Sequence, residues 1–203
     1  MPKSGDYEKL QAAYNMHKAG RINEAAVIYR QIIRNDPVNG DALHFLGVIE
    51  AAAGNFVQAR TLMARSLSAQ PQNLHFIENY AMILFKTQEY ELALETSQRG
   101  LRISSDNVQL LYACAVSLFK LNRLEESITQ FDKVLLRQPN NVAALNERAS
   151  ALAIMKNYDA ALASVERALA YHPQYAEAHL NKGNVLAAQG RYDDALAAYD
   201  QAL

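Results

Sequence analysis

The sequence predicts an all-α protein built of six helix-turn-helix repeats. Three observations carry that expectation. Prolines stand at 37, 71, 139 and 173, on a 34-residue grid whose missing member is Ser105. Small residues recur on the same grid, at position 8 (Ala13, Gly47, Ala81, Ala115, Ala149, Gly183) and at position 20 (Ala25, Ala59, Ala93, Ser127, Ala161, Ala195). A large aliphatic residue fills position 28 in every repeat, from Ile33 to Leu203. Two helices packed about 8–10 Å apart need small side chains where their axes come closest, which gives both small columns a physical reason.

The grid sets repeats at 6–39, 40–73, 74–107, 108–141 and 142–175, with a partial sixth at 176–203. In the first half of each repeat apolar residues recur at helical spacing, as at Leu84, Leu118, Leu152 and Leu186 on position 11, which faces the hairpin partner. Gly20, Gly54 and Gly190 fall just after the first helix of repeats one, two and six, where a left-handed residue ends a helix. Asn122 takes that place in repeat four. Proline near the end of the second helix closes it. Asn39, Asn73, Asn107 and Asn141 then stand where they cap the next first helix. No strand alternation competes with this reading, and no linker or low-complexity segment divides the array, so 1–203 reads as one domain. Its expected weakest joint is 97–107, where Ser97 removes a large apolar contact. Gly100 inside a helix there costs about 1 kcal/mol relative to Ala.

Composition narrows the function. The net charge of −1 provides no basic excess to hold nucleic acid. The opening MPKSGDYEKL lacks a secretory apolar region, and no apolar run approaches the roughly 20 residues that span a bilayer. Cys114, the single cysteine, excludes an internal disulfide and points to a reducing compartment. A soluble cytoplasmic protein is expected. Gly-rich phosphate loops, HExxH, Cys-x-x-Cys and Gly-x-Ser-x-Gly are all missing, so neither a cofactor nor a catalytic constellation is expected. Cys114 lies in the apolar stretch YACAV, which keeps a thiol inert. His44 and His75 come near each other on adjacent first helices, but two histidines without a cysteine or carboxylate make a poor metal site. Glu125 and Glu126 read as a solvated outer face.

The 34-residue period, the small residues at 8 and 20 and the proline at 32 resemble the tetratricopeptide repeat across essentially the whole chain. Repeat one departs, with Lys9 and Ala12 where bulky residues are usual, and repeat three departs at Ser97, Gly100 and Ser105. The resemblance implies a right-handed solenoid with first helices lining a concave face, to which positions 2, 5, 9, 12 and 13 turn. On that stripe stand His44, His75, Met82, Phe85, Lys86, Tyr112, Val116, Phe119 and Lys120, with Phe45 and Asn79 on its margin. Leu-Phe-Lys recurs at 84–86 and 118–120, which places a ring beside a cation on successive repeats. First helices about 10 Å apart would offer an extended segment one such pair at about every third residue. The expected partner is therefore a protein segment with acidic or aromatic side chains. The plainer reading is that the rings pack against neighbouring helices and the lysines are solvated helix ends.

The cationic clamp by which some family members hold a C-terminal carboxylate is missing. Position 2 carries no cation and position 6 no arginine. Asn79 and Asn181 occupy position 6, where a structural bond is expected. Residues 12–55 also resemble the first repeats of bacterial proteins that carry a glycosyltransferase of the O-linked N-acetylglucosamine type, which implies a substrate-recognition arm. A further alternative is self-association through the last hairpin, which lacks a polar capping helix.

Overall fold

The computed structural model describes residues 4–203, with side chains from Tyr7 onward; residues 1–3 of the expected 1–203 array lie outside the described residues. Among the described residues there are twelve α-helices: α1 (Ser4–Lys18), α2 (Ile22–Asn35), α3 (Gly40–Ala52), α4 (Phe56–Ala69), α5 (Leu74–Lys86), α6 (Tyr90–Ile103), α7 (Val108–Lys120), α8 (Leu124–Arg137), α9 (Val142–Ile154), α10 (Tyr158–Tyr171), α11 (Ala176–Ala188) and α12 (Tyr192–Asp200). They pair as helical hairpins, two helices per 34-residue repeat. Contacts divide the chain into two compact units, Met1–Ser105 and Asp106–Leu203.

The first unit holds α1 to α6. Each helix packs on the next, and α3 also touches α1 and α5, so its first helices form a row. The core around Tyr29, Ile32 and Leu43 is fully buried. The second unit holds α7 to α12 in the same order, with α9 touching α7 and α11. Phe131, Leu110, Leu111 and Leu145 are buried there.

Both small columns are buried. At position 20 the Ser127 hydroxyl donates to the Ala115 carbonyl at position 8 (2.8 Å), so the two columns do meet within one hairpin. A Cβ on Gly47 would stand 2.9 Å from Met63 Cγ, and one on Gly183 would fall on the Tyr199 ring. The four predicted asparagine caps are formed: Asn39, Asn107 and Asn141 each accept a backbone N–H at 3.0 Å, and Asn73 accepts one at 3.4 Å.

Gly20, Gly54, Gly190 and Asn122 have the expected positive φ. So do Gln88 and Lys156, each at 61°, although neither is a residue that favours this region. Two further features escape the column reading. Glu50 stands at position 11, where leucine is otherwise usual. It is buried and held by Arg30 (2.9 Å) and by Asn55 Nδ2 (2.8 Å). Arginines at position 26 donate to the proline carbonyl of the preceding repeat: Arg65 to Pro37 (2.7 Å), Arg99 to Pro71, and Arg167 to Pro139 (3.4 Å).

Candidate functional site

In the first unit the predicted stripe lies on α3 and α5. His75 and Lys86 are exposed, Met82 is 57% exposed, and Phe85 is half-buried with its ring 5.7 Å from Tyr90. His44 stands apart, with no exposed surface. Its ring stacks on Phe76 (4.2 Å between centroids), its Nε2 meets Asn79 Nδ2 at 3.1 Å, and its buried Nδ1 has no partner among the described residues. Burial, and secondarily the His75 ring, push its pKa down from 6.5 to about 4, so the imidazole is neutral at physiological pH. Asn79 also reaches His75 Nε2 (3.3 Å), so it makes the structural bond expected of it.

A pocket of about 370 Å³ opens on the same row of helices, lined by Tyr7, Leu10, Gln11 and Tyr14 of α1, Asp41 and Phe45 of α3, and His75 of α5. The Tyr14 and Phe45 rings lie 5.1 Å apart, and Lys18 Nζ sits 5.5 Å from the centre of the Tyr14 ring. Most of these residues were missed in the sequence. They sit on positions 2, 5, 6 and 9 of repeats one and two, so the same columns carried one repeat further toward the N-terminus would have found them.

In the second unit Tyr112 and Phe119 are half-buried and Lys120 is exposed, with its Nζ 5.5 Å from the Phe119 ring centre. Val116 is 5% exposed and belongs to the packing. Burial pushes the Tyr112 phenol up to about 12, with Glu147 and Glu177 adding to it. Burial likewise raises Glu147, which Lys120 offsets in part. The Tyr175 hydroxyl donates to Glu177 at 2.6 Å. Asn181 donates to Asn146 (2.7 Å) and to Ser150 (3.0 Å), again a bond from position 6 to the preceding repeat. The Cys114 thiol is pushed up to about 11 by burial and stays protonated at neutral pH. Among the described residues no three histidines, cysteines or carboxylates group as metal ligands, and no helix is long and apolar enough to cross a membrane.

Two family models described as tetratricopeptide repeat match this chain, one over residues 16–82 and the other over the overlapping segments 112–163 and 155–203. A third, described as anaphase-promoting complex, cyclosome, subunit 3, matches 52–134. No curated protein sequence matches. Among solved structures, a tetratricopeptide repeat protein from Parabacteroides merdae is similar over 98% of this chain and 79% of its own (20% identity, TM-score 0.82). YrrB, described as a tetratricopeptide repeat protein with an unusual peptide-binding site, aligns over 84% of this chain and 88% of its own (19% identity, TM-score 0.78). A MamA structure aligns over 81% and 90% (16% identity, TM-score 0.72). At these identities the likeness is one of fold. With the repeat models covering well over half the chain and the hairpins in register with the 34-residue grid, this chain belongs to the tetratricopeptide repeat family.

Proposed function

We propose that this chain is a non-catalytic interaction module whose first-helix faces, one in each unit, bind an extended segment of a partner protein. The observation that carries the reading is that the first helices leave side chains of binding character at least partly accessible: Met82, Phe85 and Lys86 in the first unit, and Tyr112, Phe119 and Lys120 in the second. Accessible apolar stripes of this kind usually mark interaction sites. The peptide-binding site named for YrrB supports the same use of the fold. His44 and Val116 take a scaffold role in this reading, because neither has surface to offer. A cytoplasmic setting suits the unpaired Cys114.

Peptide display on the intact chain tests the proposal. A motif is expected to be enriched, and Phe85→Ala with Phe119→Ala is expected to abolish the enrichment while helical circular dichroism is retained. No enrichment, or an undiminished double variant, would reject it. The last hairpin favours a second reading, since Leu180, Tyr192 and Leu196 are 46%, 68% and 61% exposed. Self-association through that hairpin predicts a mass that grows with concentration in light scattering, and a constant monomer mass removes it. The recognition-arm alternative rests on the resemblance of residues 12–55 and is tested by whether a glycosyltransferase domain shares the reading frame.

A further inference from the structure

We infer that the α1–α3–α5 pocket of the first unit is a subsite for a basic side chain, arginine or lysine, of the bound segment. The inference rests on the interaction-module reading and specifies its ligand. It departs from the acidic partner that the Leu-Phe-Lys columns suggest.

The chemistry of the lining points to a cation. Three aromatic residues, Tyr7, Tyr14 and Phe45, line a space of about 370 Å³, and Tyr7 is 69% exposed and so available to a ligand. Aromatic faces carry negative quadrupole charge and attract ammonium and guanidinium groups. The chain already makes one such contact here, with Lys18 Nζ 5.5 Å from the centre of the Tyr14 ring. Among the described residues Asp41 is the one carboxylate of the lining and no lysine or arginine joins it, His75 being the other ionisable side chain besides the two tyrosines. Its Oδ2 takes a hydrogen bond from Gln70 Nε2 (3.2 Å), and among the described residues it makes no ion pair. A negative charge beside aromatic rings, hydrogen-bonded to a neutral amide and without an ion pair among the described residues, is complementary to a side chain with an apolar stem and a charged head. Arginine and lysine bury such stems along apolar surface while keeping the head beside a polar partner. An acidic side chain would meet Asp41 as a like charge, and a purely aliphatic one would leave it without a counter-ion.

Peptide display on the intact chain, run in parallel on Asp41→Asn and Tyr7→Ala variants, tests this. Asp41→Asn is isosteric and keeps an oxygen for Gln70, and Tyr7 is exposed, so both variants are expected to fold. The expected result is a motif with one position restricted to arginine or lysine on the unaltered chain and unrestricted on both variants. A synthetic peptide of the selected sequence should then lose about tenfold in affinity when the basic residue is replaced by citrulline or when Asp41 is replaced by Asn, in fluorescence anisotropy. A motif without a basic position, or one kept on Asp41→Asn, overturns the subsite and leaves the interaction module standing. No motif at all overturns both.

Discussion

At His44 the helical register points to the predicted stripe, yet the side chain has no exposed surface, because Phe76 and Asn79 of the next hairpin close over it. Burial without a counter-charge holds the imidazole neutral, with its pKa lowered from 6.5 to about 4. The unfolded chain therefore takes up a proton between those two values that the native chain refuses, and stability falls as pH drops through that window. The slope is about 1.4 kcal/mol per pH unit for one such group. Going from pH 7 to pH 5, the native protein should lose about 2 kcal/mol more than a His44→Gln variant does, read from denaturant unfolding at the two pH values. Equal losses would show that His44 titrates freely in the folded state. Glu50 teaches a related lesson at the hairpin seam. A carboxylate occupies a leucine position because Arg30 and Asn55 reach it there, and both partners lie outside the column in which it appears.

Helix ends are set by local chemistry, and here the chain is uneven. Three first helices end on glycine and one on asparagine, but Gln88 and Lys156 adopt φ near 61° with a side chain attached. For an L-residue the left-handed region crowds Cβ against the following carbonyl, at a cost of about 1–2 kcal/mol. Glycine removes that cost but has more backbone entropy to lose on folding. The net expectation is that Gln88→Gly and Lys156→Gly each stabilise by about 0.5–1 kcal/mol, whereas Asn122→Gly changes little. Thermal unfolding of the three variants checks this, and a lower midpoint for either of the first two would contradict it. Asparagine capping was legible at 39, 73, 107 and 141 because a cap is decided within three residues. The strain at 88 and 156 is hidden in residue type, because the backbone angle there is imposed by the hairpin turn, and only their place on the grid, 34 residues after Gly54 and Asn122, marks it.

Across the whole chain, stability in stacked repeats is close to a sum of repeat terms and nearest-neighbour interfaces, so one weak repeat opens first. The Ser97 hydroxyl is buried but donates to Ala93 within its own helix (2.7 Å), and so adds no bond between helices. Gly100 is buried and brings no side chain at all. The first compact unit ends at Ser105. Amide hydrogen exchange of the intact chain should therefore be faster at 97–107 than at the matching segment 165–175. Equal protection would defeat that expectation.

What the sequence determined by itself was the architecture. A 34-residue period, two small columns and asparagine caps are constraints on one hairpin and its immediate neighbour, and the residues that satisfy them repeat visibly. What only the tertiary structure decided was which members of the predicted stripe have surface to offer. His44 and Val116 vanish into the packing, while Tyr7, Tyr14, Asp41 and Phe45 come together around a pocket. Exposure at a given column depends on the size and hydrogen bonding of side chains one repeat away, as Asn79 does for His44 and Asn181 for Asn146. A column read down a sequence holds the register of a helix, but the neighbour that covers or uncovers each side chain is set by the stacking of hairpins.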